Sequence, residues 1–534
     1  MTSPTKNSQD IEAGQKLDVC LLLEGTYPYV RGGVSTWVHQ IVSAMPDLNF
    51  GIVYLGAERK SRGELSYEIP GNVLRLEHVF LFDDPSPGSQ PSSSRAKNAN
   101  AVLRRTVRDL LDNLAIDADS DRDADIETEL DFRPILRALA TASSLAPEGF
   151  DEFWTHPDTW QIARDIYQQR LAEESFIDTW WNLRFMLRPI WRLTSALEDV
   201  PQAAVYHSVS TGYAGLLGSL ASDRFDASFL LSEHGIYVRE RIAELLRADW
   251  TPRMASPIDG ESISAIRELW IEKFIELGRV AYHSAAKIVS LFQKNADHQI
   301  EFGAPANRVT IIPNGVDLSS FDDHRRARQK LRAADPERRN VGFLGRVVAI
   351  KDIKTLLRAA AYVITEIPAA QFLIMGPVDE DAEYAQHCRD LCRQLGIENR
   401  IEFTGPKNLD EALPAVDVMV LPSISEGLPF VALEAFSADI PLVATDVGAC
   451  RELVEGRQHR HADSGPAGII VPVGEPVALG QAIARLLGDR ALQDKLGATG
   501  RRRVETVYAE ADVIAAYRGL YETLPAGRRL TTEH

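Results

Sequence analysis

Little in this chain suggests cross-links, membrane passage or a polyanionic partner. Four cysteines occur in 534 residues, too few for the disulfide framework of a secreted scaffold, which points to a reducing cytoplasm. Cys388 and Cys392 stand one helical turn apart. With no matching second ligand pair, they read as two small, partly buried thiols rather than a metal site. No run approaches the roughly 20 apolar residues of a membrane span. Met1 to Lys16 is polar and lacks a signal peptide's apolar stretch. Basic excess is also missing: Lys and Arg total 58 against 76 Asp and Glu, a net charge of −18. That balance argues against a general nucleic-acid binder, which needs basic surface to replace phosphate counterions. It leaves room for a local basic pocket. There is no fixed-period repeat, and no spaced G-x-G-x-x-G, which disfavours nicotinamide or flavin.

What is present is an alternation of short apolar runs and amphipathic segments. Leu17 to Leu23 reads as a buried strand, and Glu24 to Gly33 as a loop. A helix follows with Val34, Trp37, Val38, Ile41 and Val42 on one face, then strands at Phe50–Leu55 and Val73–Phe80. This is the opening of a doubly wound α/β domain. The rhythm breaks at Asp83 to Ala101, rich in Pro, Ser, Asn and Gly and read as a flexible loop. Asp112 to Asp131 carries nine acids against one Arg, a solvated face. Residues 84–200 read as a helical insertion whose Trp154, Trp160, Trp180, Trp181 and Trp191 serve as core. Strands resume at Ala203–Tyr206, Ser228–Ser232, Ala286–Leu291 and Val309–Ile312.

A second α/β domain starts near Asn340. Its expected strands are Val341–Leu344, Gln371–Met375, Arg400–Phe403, Val416–Leu421, Pro441–Ala444 and Gly468–Val471. The helix Lys354 to Ile367 lies between the first two. The expected division is 1–325, 326–505 and a C-terminal helix, 506–534, packing back on the first domain. Two Rossmann-like domains then face a cleft, with ligand at the carboxyl ends of the strands.

Four elements carry chemistry. Ser425-Glu426-Gly427-Leu428-Pro429-Phe430 opens a helix after a strand, so its amides and the helix dipole form an anion site suited to a diphosphate. Glu434 lies about a turn and a half further, so two carboxylates can take hydroxyls from two different groups; a capping Glu426 and a surface Glu434 is the plainer alternative. Gly345-Arg346 with Lys351 follows a strand and suits a leaving diphosphate. Arg31-Gly32-Gly33 lets backbone amides approach a ligand. His234 ends an apolar strand and precedes Gly235, at the expected cleft.

In order and placement these residues, together with Ile312-Pro313-Asn314-Gly315-Val316-Asp317, resemble family 4 of the retaining glycosyltransferases, which have the GT-B fold. The resemblance implies that Glu434 binds the ribose and that Glu426, with amides from Gly427 through Leu428 and Pro429 to Phe430, holds the donor sugar. It implies that Arg346 and Lys351 neutralise the diphosphate, that Gly32 and Gly33 approach the phosphates, and that His234 contacts the donor sugar. Phe403, Thr404 and Pro406 would take the base. Tyr29, Arg239 and Glu240 are acceptor candidates. The runs Glu24 to Trp37 and Glu233 to Arg241 resemble the soluble members acting in bacterial Pel-type exopolysaccharide synthesis. That implies a UDP-sugar donor, a glycan acceptor and membrane-embedded synthase components as partners. No cofactor or metal is expected, since no Asp-x-Asp cluster stands where a donor metal would be held. A sugar epimerase or phosphorylase of the same fold, or an inactive nucleotide-sugar-binding scaffold, would share the anion pocket.

Overall fold

The computed structural model describes residues 17–83, 150–155, 157–247, 264–456 and 465–529. The acid-rich stretch and the loop expected before it lie outside these residues, save Asp83. Two parallel sheets organise the described chain. The first takes β1 (Leu17–Glu24), β2 (Phe50–Gly56), β3 (Val73–Phe80), β4 (Ala203–Ser208), β5 (Ser228–Glu233), β6 (Lys287–Ser290) and β7 (Val309–Ile311), in spatial order β3-β2-β1-β4-β5-β6-β7. The second takes β8 (Asn340–Leu344), β9 (Gln371–Met375), β10 (Ile401–Gly405), β11 (Val418–Leu421), β12 (Leu442–Thr445) and β13 (Gly468–Val471), in order β10-β9-β8-β11-β12-β13. Strands covered on both faces need continuous apolar runs; Val19 to Leu23 and Val418 to Leu421 are buried throughout.

In each sheet the order reverses after the first strand, between β1 and β4 and between β8 and β11. Chains leave these neighbouring strands in opposite directions there, opening a crevice at their carboxyl ends. Helices fill the layers by apolar stripes. Ile353–Glu366 buries Ile353, Leu356, Leu357, Ala360 and Val363, and Asp352 caps it by accepting from the Thr355 amide at 3.3 Å.

The chain divides into two compact units. The first comprises 1–290, 296–310 and 517–534; the second comprises 291–295 and 311–516. The expected boundary at 325/326 therefore falls too late. Residues 311–325 group with the second unit because Val316 bridges to Ala509 and Phe321 joins that unit's apolar core. The C-terminal helix, Glu510–Arg529, is divided at 516/517 rather than standing alone. Tyr517 lies edge-on to Trp37 with ring centres 5.0 Å apart, and the Tyr521 hydroxyl meets His207 Nδ1 at 2.8 Å.

The described part of the insertion is helical: Phe150–Thr155, Pro157–Arg170 and Phe176–Ala196. Its tryptophans are not all core. Trp154 is buried, whereas Trp160 and Trp181 are 47% and 49% exposed. Cys388 and Cys392 are buried on the helix Ala382–Leu395.

Candidate functional site

In the second unit the loops leaving the strands form one stitched rim. The Gly345 amide donates to Met375 O and the Val347 amide to Pro377 O, at 2.9 and 3.0 Å. The Gly376 amide donates to Gly405 O at 2.9 Å, and Ile424 to Ile350 O at 2.9 Å. Ala449 donates to Gly427 O at 2.9 Å. Gly448 is needed at this seam. Its φ is +52°, and a Cβ there would lie 2.2 Å from Glu426 O and 2.5 Å from Gly427 O. In this unit each loop that carries an expected donor-site residue is thus held by its neighbour.

Beyond β11 the chain turns through Glu426 to Pro429 into the helix Phe430–Ser437. Pro429 is the cap residue rather than part of the first turn, and no side chain caps the helix. The Glu426-capped alternative is therefore not what the structure contains. The opening amides, at Phe430 and Val431, precede the first internal bond, Ala432 to Pro429 O. Lys351 reaches across from the turn after β8: its Nζ is 2.6 Å from Glu426 Oε1, which also accepts from Ser423 Oγ at 2.6 Å. Both bonds fall on one oxygen, leaving Oε2 open to a further donor. Arg346 pairs instead with Glu380, from the loop after β9. Glu434 lies inside the helix, and desolvation pushes its carboxyl up to about 7. The Arg389 guanidinium covers the Phe403 ring at 5.4 Å. Thr404 bonds to Gly405 O and Pro406 is exposed. Asn314 braces the turn by donating to Leu428 O at 3.2 Å.

The first unit arranges its strand ends differently. Glu24, at the end of β1, accepts from the Tyr213 and Ala214 amides at 3.0 and 3.4 Å and from the Tyr237 hydroxyl at 3.0 Å. It thereby fills the N-terminus of the helix Tyr213–Arg224. Glu233 ends β5 fully buried, accepting from Thr211, Tyr282 and Gln299 at 3.1, 2.6 and 3.0 Å. Burial raises both carboxyls. His234 follows, its ring edge-on to Trp37 at 4.8 Å and its Nε2 buried without a partner. Desolvation lowers it to about 4, so the imidazole is neutral at pH 7. Gly32 and Gly33 open the helix Gly33–Ser43, with nothing within 4 Å of a Cβ built on Gly32. Tyr29 bonds His78 Nε2 at 2.6 Å, while Arg239 and Glu240 are exposed.

The second unit therefore gathers Lys351, Glu426, Arg346 and Glu434 on one rim and its helix. The first gathers His234, Gly32 and Gly33 on their own strand ends. Sequence reasoning missed Ser423, Glu380, Gly448 and Glu24. A charged residue closing an apolar strand was the available signal for Glu24; the others act through loop packing.

Residues 17–307, more than half of the chain, match a family described as "Domain of unknown function (DUF3492)". The chain belongs to this family. The DUF3492 chain also matches, over residues 338–489, a domain described as "Glycosyl transferases group 1". It is 31% identical over 229 residues to a D-inositol 3-phosphate glycosyltransferase of Nocardia farcinica, covering 41% of this chain and 48% of the relative. A protein of the same name from Geodermatophilus obscurus is 28% identical over 326 residues, covering 59% and 66%. The matched part thus spans about half to two thirds of these relatives' lengths. Among solved structures, Anabaena HepE with UDP and glucose aligns with a TM-score of 0.56 and 15% identity, over 95% of this chain and 100% of that one. Sucrose-phosphate synthase of Thermosynechococcus elongatus aligns at 0.57 and 17%, over 95% and 99%. The DUF3492 chain therefore has the GT-B fold. No described helix is long and apolar enough to cross a membrane.

Proposed function

We propose that this chain is a retaining, metal-independent glycosyltransferase that moves a hexose or N-acetylhexosamine from a UDP-sugar to a growing Pel-type exopolysaccharide. The observation that carries it is the Lys351–Glu426 pair at the head of the helix Phe430–Ser437, with Glu434 about one turn along the helix. A diphosphate fits between the open helix amides and Lys351. Displaced onto the phosphate, Lys351 would leave Glu426 to accept sugar hydroxyls. Glu434, half-buried with no hydrogen-bonded donor of its own, suits a ribose diol. HepE, with the same fold, was solved with UDP and with UDP-glucose.

Departure of the diphosphate gives an oxocarbenium-like sugar, and the leaving oxygen itself takes the acceptor's proton on the same face. The protein's work is then positioning and electrostatic stabilisation. A neutral His234 can offer one hydrogen bond to a sugar. The Pel assignment rests on the runs Glu24 to Trp37 and Glu233 to Arg241, which resemble PelF. Cytoplasmic location and recruitment by membrane-embedded partners belong to the same reading.

The test is UDP release from a panel of UDP-sugars with oligosaccharide acceptor, in EDTA, with NMR of the product anomer. Retained configuration and undiminished rate are expected. Complete loss in chelator counts against metal independence. Isomerised UDP-sugar without acceptor would identify an epimerase, and consumption of inorganic phosphate a phosphorylase.

A further inference from the structure

The Arg346 guanidinium is already occupied. Its ion-pair partner, Glu380, comes from the loop after β9, and the two side chains are 55% and 49% exposed. The pairing is built in by the backbone. Gly345 and Val347 donate to Met375 O and Pro377 O, and Gly376, at φ +155°, brings its Cα so near that a Cβ would stand 1.9 Å from Gly345 O. The two loops cannot separate without breaking this seam, so a carboxylate on the second is held within reach of a cation on the first. Asp381 then caps the helix Ala382–Leu395 by accepting from the Tyr384 amide at 3.0 Å, fixing where the loop ends.

We infer that Glu380 is a positioning residue that competes with the nucleotide's diphosphate for Arg346 and thereby speeds release of the UDP product. The inference rests on the donor reading given above. An exposed ion pair is weak and readily exchanged, so an incoming phosphate can take the guanidinium. Arg prefers a bidentate phosphate partner, yet the Glu380 carboxylate stays alongside and recaptures it as the product leaves. A purely structural surface pair would gain nothing on losing its acid. Losing a competitor would let the nucleotide bind more tightly.

Titration calorimetry of UDP into the full chain tests this with Glu380→Gln, Arg346→Ala and the double variant. Glu380→Gln should tighten UDP binding by about two- to fivefold, with a matching fall in the UDP inhibition constant. In the Arg346→Ala background the same change should have no effect. Unchanged or weaker UDP binding by Glu380→Gln would overturn the competition. So would a gain that persists without Arg346, since the acid would then act by general repulsion. Failure of the wild-type chain to bind UDP at all would instead sink the donor reading, and the competition with it.

Discussion

Two helices begin at corresponding places in the two sheets and treat negative charge in opposite ways. Tyr213–Arg224 follows β4 and Phe430–Ser437 follows β11, each on the strand just past the reversal of order. Each begins with amides that have no partner within the helix, at the carboxyl end of its own sheet. In the first unit, β1 ends on Glu24, whose carboxylate occupies those amides. In the second, β8 ends on the apolar Leu344, no side chain caps the helix, and Lys351, from the loop after β8, reaches Glu426 just ahead of it. Topology makes an anion cradle in both units. The residues closing the first strand decide whether the protein keeps that cradle for itself.

The largest expected effect comes from removing a cation from the open cradle. Lys351→Ala should lower turnover by about two to three orders of magnitude, on the roughly 3–4 kcal/mol scale of one preorganised donor. Glycosyl transfer to acceptor measures it; unchanged turnover would end the claim that the second cradle serves a leaving group. Next is the pH response of Glu434. Its folded pKa is raised from 4.5 to about 7, so the folded state binds the extra proton between those values. Stability should fall as pH rises through that window, by at most roughly 3 kcal/mol at about 1.4 per unit, and level off above 7. Denaturant melts at stepped pH should show the slope in the wild type and its loss in Glu434→Gln. A slope that survives the substitution places the titration elsewhere. The smallest effect tests the closed cradle. Glu24→Gln keeps the shape but weakens the acceptor, and should cost about 1–2 kcal/mol of stability with UDP affinity unchanged. Weaker UDP binding in that variant would break the contrast between the units.

Strand positions were readable because parallel strands buried on both faces leave uninterrupted apolar runs. Val73–Phe80, Gln371–Met375 and Gly468–Val471 match to the residue, and the other strands differ by one to two residues at their ends. That a helix opens between Glu426 and Glu434 was readable because a loop-to-helix junction has a composition. The partners were not. Nothing local in Glu380 says that its loop is sewn to Gly345, and nothing in Gly448 says that a carbonyl from residue 426 lies against its Cα. Such contacts arise only when strands distant in sequence become neighbours. The exposed Trp160 and Trp181 fail for a related reason. Apolar spacing tells which residues share a face, and not whether a neighbour covers it.

Tyr517 and Tyr521 have a consequence for how the first unit comes into being. They supply a ring against Trp37 and a hydroxyl for His207, yet more than 200 residues of the other unit are translated between Thr310 and Tyr517. A ribosome therefore releases most of the first sheet long before the aromatic plug that finishes it. Until then Trp37 and His207 keep each other and Ser232 as neighbours but lack the rings of Tyr517 and Tyr521. The nascent chain has to hold that half-built state through the synthesis of an entire second Rossmann unit.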